Sequence, residues 1–299
     1  MSSALRHPPV VVGVDGSPTS GAALRWAIHE ASTRRVPIHL VSAWNPSFDL
    51  DTLGLATRTV EDHCRAILDA ARNEVTATDP EVEVTSTAYV GPATTSLVEA
   101  SLHADTVVVG SRGRRALPGF LLGATSLEVA AHAASPVVVV RDNALSEATL
   151  ERVVVGVDGS PRSSDAVAYA FAFASAHDLD LTVLHAFQVE YVAGVISTLS
   201  AEQSNARLAQ EELALTSETV AGWQEKYPDV HVETATLRAH PVDALVDASK
   251  ISDLLVIGGR RRGRIGSALL GAVGHGVLHD AHCPVAVVRA RSTAAAGHR

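Results

Sequence analysis

A chain of 299 residues, 46% hydrophobic and 4% aromatic, holds enough Val, Leu and Ala to bury two cores; its formal net charge of −9 sets the long-range field against nucleic acid and anionic membrane surfaces. No apolar run approaches the roughly 20 residues of a membrane span, and the opening MSSALRHPP has no apolar stretch of signal-peptide length, so a cytoplasmic protein with neither nucleic acid nor membrane as partner is expected. Cys64 and Cys283 cannot build a disulfide framework and are expected to be packed thiols.

Taken in order, Val10 to Val14 reads as a buried strand that ends at Asp15, with Ser17 as N-cap and Pro18 at the first helical position. Ala23, Trp26, Ala27, Glu30 and Ala31 then share a mostly apolar helical face. Val36 to Ala43 is a second strand, and Trp44 to Ala56, with Pro46 and Gly54, is an irregular connection. Val60, Cys64, Ile67, Leu68, Ala71 and Val75 fall on one face of a long helix. Val82 to Val90 is a third strand, and Gly91-Pro92 starts a helix through Leu97, Ser101 and Ala104.

Residues Val107 to Arg141 lay one βαβ unit open: an apolar strand, a loop rich in Gly and Arg, a short Ala-rich helix and a second apolar strand. Val107 to Val109 and Val137 to Val140 are continuous rather than alternating, as parallel strands covered on both faces are. Gly110 and Gly113 free the backbone for positive φ and close approach, and Gly123-Ala124-Thr125-Ser126 opens the helix with small and hydroxylated residues. Unpaired amides at a helix N-terminus, with Ser111, Arg112, Arg114 and Arg115 alongside, suit phosphate. A tight turn with nothing bound has the same glycine pattern.

The chain then repeats itself. VVVGVDGSP at 10–18 returns unchanged at 153–161, and LLGA at 121–124 returns at 269–272. A repeat this long is a duplicated domain, so residues 8–142 and 153–290 are read as two domains, 143–152 as a short linker and 291–299 as a disordered tail. Strands are expected near 153–157, 181–186, 230–237, 254–258 and 285–289. Ala206, Ala209, Leu213, Thr216, Val220, Trp223 and Tyr227 step at core spacing, which assigns Trp223 to packing. Val189 to Leu199 is apolar without a first-half counterpart of similar character, and reads as a lid or a contact surface. Alternating strands and helices argue for an α/β fold with an open, doubly wound parallel sheet in each half, whose ligands bind at the C-terminal strand edge.

Gly110-x2-Gly113-x9-Gly123, followed by hydroxyl residues and closed by Pro136 and four valines, resembles the ATP-binding signature of universal stress proteins. Ala124 stands where a hydroxyl usually follows the last glycine, with Thr125 and Ser126 next. The resemblance implies two tandem five-stranded Rossmann-like domains of the adenine nucleotide alpha hydrolase-like type, with the first and fourth strands adjacent. It implies ATP, with Mg, as the ligand. It places Gly13, Val14, Asp15 and Ala43 against adenosine in the first half, and Gly156, Val157, Asp158 and Ala186 in the second. The second cradle is then Gly258, Gly259, Arg260, Arg261, Arg262 and Gly263, with Gly271, Ala272, Val273 and Gly274. It also implies a homodimer through the last strands, Pro136 to Arg141 and Pro284 to Arg289, and a regulatory protein partner of unidentified kind.

Neither GxxxxGK[ST], GxGxxG, SGGxDS nor HxGH is present, and no nucleophile pairs with a base, so binding is favoured over turnover. A nucleotide-independent dimeric scaffold and a slow ATPase are the alternatives. His275, His279 and His282 precede Cys283 on one expected helix edge, but their first-half equivalents, Leu127, Ala131, Ala134 and Ser135, are not ligands, and no metal site is expected. Arg261 replaces Gly113, Val273 replaces Thr125 and Gly274 replaces Ser126, so the first cradle is expected to bind more tightly.

Overall fold

The computed structural model describes residues 7–45, 57–113, 122–141, 151–160, 163–188, 220–259 and 270–289. In the first half the elements are β1 (Val10–Gly13), α1 (Pro18–Arg34), β2 (Ile38–Trp44), α2 (Thr57–Thr78), β3 (Val84–Val90), α3 (Ala93–Ala100), β4 (Thr106–Gly110), α4 (Ala124–His132) and β5 (Val137–Val140). The second half continues with β6 (Arg152–Val157), α5 (Ser164–His177), β7 (Asp180–Phe187), α6 (220–226), β8 (Val232–Arg238), α7 (Pro241–Ala248), β9 (Leu254–Gly258), α8 (Ala272–Asp280) and β10 (Val285–Val288). The expected strand order is present in both halves, with ends shifted by a few residues. Ala104, expected in a helix, is extended after a 3-10 turn at Ser101–His103.

Among the described residues ten strands form one sheet, ordered β3-β2-β1-β4-β5-β10-β9-β6-β7-β8. Every pairing is parallel except the seam, where β5 and β10 run antiparallel with Val139 opposite Val285, Val138 opposite Ala286 and Val137 opposite Val287. This corrects the expectation that these last strands join two chains: each is already paired with the other inside one chain. Tethering raises the effective concentration of the second edge far above that of an edge on another molecule.

The seam also changes the count of cores. Successive strand residues point to opposite faces, so Val10, Val12, Val138, Val153, Val155 and Ala286 belong to one buried cluster, while Val11, Val107, Val137, Val154, Leu255 and Val285 belong to another. Each cluster crosses the seam, so the two cores are the two sides of the sheet rather than one for each half. Trp223 packs beside Phe171 and Tyr227 at the edge of the first cluster, and Cys64 lies buried with Trp44. The connection Trp44 to Ala56, the linker, the segment Val189 to Leu199 and the tail fall wholly or mostly outside the described residues.

On the side of the first cluster, α1 meets α5. Trp26 stacks on Phe173 with ring centroids 6.1 Å apart, and Phe173 stacks on His177 at 4.2 Å. Glu30, on the apolar face of α1, is only 2% exposed, yet its carboxylate is fully engaged. His177 Nε2 donates to Oε2 at 2.7 Å, and Arg34 Nη1 donates to Oε1 at 2.9 Å and to Asp105 Oδ2 at 2.7 Å. Burial depresses the basicity of Arg34, but the two carboxylates outweigh it and hold its pKa well above the usual value.

A buried carboxylate whose two oxygens are satisfied by donors from both halves is costly to break, because each partner left behind is desolvated and unpaired. Glu30→Ala is expected to lower the unfolding free energy by about 3 kcal/mol in a urea titration. Arg65→Ala, which removes an exposed pair with Glu61 at 2.6 Å, is expected to change it by less than about 0.5 kcal/mol. Equal effects of the two substitutions would show that the Glu30 cluster does not hold the halves together.

Candidate functional site

β1 lies between β2 and β4, so the chain leaves its C-terminal end at the point where the strand order turns back. There Gly13, Val14 and Asp15 face Gly110, Arg112 and Gly113 across a crevice of about 100 Å³. Ala43 at the end of β2, and Thr125 and Ser126 in the first turn of α4, complete the predicted set that lines it. Ser111 is buried just below, and Gly123 and Ala124 start α4 as its N-cap and first residue.

The loop after β4 is held by its own carbonyls. The Ser111 N–H donates to the Val140 carbonyl at 2.7 Å, the Gly123 N–H donates to the Ser111 carbonyl at 2.7 Å, and the Ser126 hydroxyl donates to the Gly110 carbonyl at 2.6 Å. The Thr19 hydroxyl donates to the Arg112 carbonyl, with the Ser17 hydroxyl 3.4 Å away. Gly123 offers no side-chain cap, so the first amides of α4 remain the positive end of a helix dipole beside Arg112. Ser126 therefore shapes the loop, and Thr125 is the hydroxyl that faces the crevice without that tie.

Two expectations about glycine need correction. Neither Gly110 nor Gly113 has positive φ; near the site that conformation belongs to Gly16 (φ 78°) and Gly159 (φ 70°), each following a site aspartate. Gly110 is required by close approach instead, because a Cβ there would lie 2.6 Å from the Thr19 carbonyl carbon and 2.8 Å from the Ser20 nitrogen. Gly113 leaves room for a carboxylate, since its Cβ would lie 3.0 Å from Asp15 Oδ2. Asp15 Oδ1 accepts the Ser17 N–H at 2.9 Å, while the cap of α1 itself is Ser17, whose hydroxyl accepts the Ser20 N–H at 3.2 Å.

The repeat builds a second crevice of about 250 Å³ between β6 and β9, lined by Gly156, Val157, Asp158, Ala186, Gly258, Gly259 and Gly271 to Gly274. Its aspartate is held by three donors: Asp158 Oδ1 accepts the Ser160 N–H at 3.0 Å, the Ser160 hydroxyl at 2.6 Å and the Ser163 hydroxyl at 2.8 Å. Partial burial raises the Asp158 pKa, and these donors outweigh it, holding the carboxyl below the usual range. Val273 and Gly274 bring no hydroxyl to this crevice. Arg114, Arg115, Arg260, Arg261, Arg262 and Gly263 lie outside the described residues.

Sequence reading missed Ser20, Val41, Ala93, Leu97 and Val109 in the first crevice, and Ser163, Leu184, Pro241, Leu245 and Ile257 in the second. Val41, Val109, Leu184 and Ile257 lie on the strands that already supply site residues and the others come from helices or their caps; Ser20 with Ser163 and Leu97 with Leu245 are identities kept between the repeats, a signal that could have found them. The histidine run does not converge: His279 Nδ1 sits 2.8 Å from Asp280 Oδ1, while burial pushes the Cys283 thiol up to about 11 against the opposing effect of its contact with the Ser252 hydroxyl. Among the described residues no three His, Cys, Asp or Glu side chains are placed to hold a metal.

The family model described as "Universal stress protein family" matches residues 7–141 and again 149–289. The chain is 37% identical over 302 residues to the universal stress protein Rv2005c of Mycobacterium tuberculosis, covering 97% of this chain and 99% of that one. It is 36% identical over 303 residues to Rv2623 of the same organism, with the same coverage. A solved universal stress protein from Archaeoglobus fulgidus, 19% identical, superposes with a TM-score of 0.66 over 96% of this chain and 97% of its own, a likeness of fold.

Two outcomes follow from the loop geometry. Gly110→Ala, which drives a methyl into the backbone of α1, is expected to cost about 2 kcal/mol in chemical denaturation. Gly21→Ala in α1, where the added carbon meets only the end of the Arg25 side chain at 3.5 Å, is expected to stabilise by about 0.5 kcal/mol. Asp158 contributes stability above its unfolded pKa of about 3.9 and loses it as pH falls through its lower folded value. The stability gap between the parent and Asp158→Asn is therefore expected to be full near pH 6 and to close at more acidic pH; a gap that stays constant there contradicts the assignment.

Proposed function

The chain belongs to the universal stress protein family, and we propose that it is a cytoplasmic regulatory protein of the stress response that binds ATP with Mg²⁺ in both crevices, its nucleotide occupancy changing its shape or its protein partners. The observation that carries this reading is the convergence at the turning point of the strand order of a pocket, a carboxylate and a helix N-terminus flanked by arginine. Ala43 leaves room for a planar base, and Asp15 offers a carboxylate to ribose hydroxyls or to a magnesium ion. The amides that open α4, with Arg112, suit the phosphate chain. Residues 8–142 and 153–290 are the two nucleotide-binding units in this reading. Mg²⁺, when bound, supplies charge neutralisation for the phosphates. A homodimer of the whole chain requires a surface other than β5 and β10, which already pair with each other.

The first crevice is the tighter site in this reading. It carries Thr125 as a hydroxyl and Gly113 as the space beside Asp15, where the second crevice has Val273 and an aspartate already occupied by two serines. The test is calorimetry with Mg-ATP on the intact chain and on Gly113→Arg, together with mass spectrometry of nucleotide released by heat from freshly purified protein. Two unequal sites are expected, Gly113→Arg removing the tighter one. At 100 times its dissociation constant the nucleotide is expected to add about 2.7 kcal/mol to stability. No released adenine nucleotide and no heat on titration would leave the nucleotide-independent scaffold as the better reading.

A further inference from the structure

The two crevices are joined by a short physical route. The loop that edges the first crevice is hydrogen-bonded through the Ser111 N–H to the Val140 carbonyl, and the next residue is Arg141. Its guanidinium reaches into the second half, where Nη2 donates to the Leu278 carbonyl at 2.7 Å and also to the His279 carbonyl. Those carbonyls belong to the last turn of α8, which has no following turn to satisfy them. The other end of α8 is the second crevice: Gly271 is its N-cap, without a side-chain cap bond, and Ala272, Val273 and Gly274 line the pocket. A helix of nine residues is about 14 Å long, and Val277 and Leu278 in its last turns are buried in the core, so it moves as one body.

We propose that Arg141 is a positioning residue for the second crevice, holding α8 by its C-terminal carbonyls so that nucleotide in the first crevice tightens binding in the second. This rests on the nucleotide reading above. The sign follows from charge. Arg112 lines the first crevice, and its charge opposes that of Arg141, whose basicity burial already lowers while Asp280 supports it. An anion on Arg112 removes that opposition, so Arg141 settles more firmly on the negative end of α8 and fixes the amides at its other end. A nucleotide bound first then meets a second cradle that is already ordered.

The experiment follows the backbone amides of Gly123 and Gly271 by NMR as Mg-ATP is added to the intact chain, to Arg141→Gln and to Arg141→Lys. In the parent the Gly271 curve is expected to lag the Gly123 curve and to be steeper than a single-site isotherm. Arg141→Gln is expected to raise the half-saturation at Gly271 about five-fold and make it hyperbolic. Arg141→Lys, which keeps the charge and a donor, is expected to recover part of the loss; a merely structural role would not give this graded change in curve shape. If Arg141→Gln does not fold, the parent curve and Arg141→Lys decide the matter alone. Two crevices that fill independently in the parent, or a Gly271 curve unmoved by Arg141→Gln, overturn the coupling and leave the nucleotide reading standing. Neither glycine responding overturns both.

Discussion

The antiparallel pairing of β5 with β10 is the constraint on which the rest of the molecule depends. Three register pairs of valine and alanine turn two similar halves into one sheet. Because the strands on either side of that seam are parallel and covered on both faces, each side of the sheet carries a single apolar cluster contributed by both halves. Burial on this scale is the dominant favourable contribution to folding, and it places the most apolar strands farthest from the sheet edges. It also satisfies the β5 and β10 edges internally, so these strands are closed to another chain.

Joining the halves in this way brings polar groups into places that neither half would give them alone. Glu30 sits on the apolar stripe of α1 because α5 supplies His177 across the seam and α1 itself supplies Arg34. A charge in such a position is tolerated only when its oxygens are fully partnered. Arg141 is the matching case on the other face of the sheet: its side chain leaves the end of β5 and ends on the carbonyls of α8. Both contacts show an ion or dipole of one half satisfied by the other, so the arrangement of the halves is specified by chemistry as well as by area.

The two crevices, alike in plan, differ in how their parts are held. In the first, hydroxyls of Ser17, Thr19 and Ser126 grip the carbonyls of the loop, while Asp15 Oδ1 accepts the Ser17 N–H. In the second, Ser160 and Ser163 spend their hydroxyls on Asp158. The repeated serine, Ser17 in the first half and Ser160 in the second, thus reaches the loop in one and the carboxylate in the other. Duplication preserved the backbone of the site, in which Gly13 with Gly156 and Gly123 with Gly271 recur, and let the side-chain bonding diverge.

The strands were legible in the sequence because short continuous valine runs bounded by turn residues point to strands buried on both faces, and the repeat of VVVGVDGSP made the duplication plain. The glycine positions of the cradle were legible too, since Gly110 and Gly123 bracket a strand-to-helix turn. The reason for Gly110 was not: its φ is ordinary, and what excludes a side chain is the backbone of Thr19 and Ser20, far away in the chain. Nor could periodicity show that Leu97 and Leu245 face the crevices, because a residue on an apolar helix face reads as core until the strand beside it is known. The sequence by itself determined the local elements, the repeat and the residues that end each strand, all of which depend on neighbours along the chain. Tertiary structure alone decided that β5 would pair with β10 of the same chain, that the cores would lie on the two sides of one sheet, and that Arg141 would reach α8, because these depend on contacts between segments more than a hundred residues apart, which no local pattern encodes.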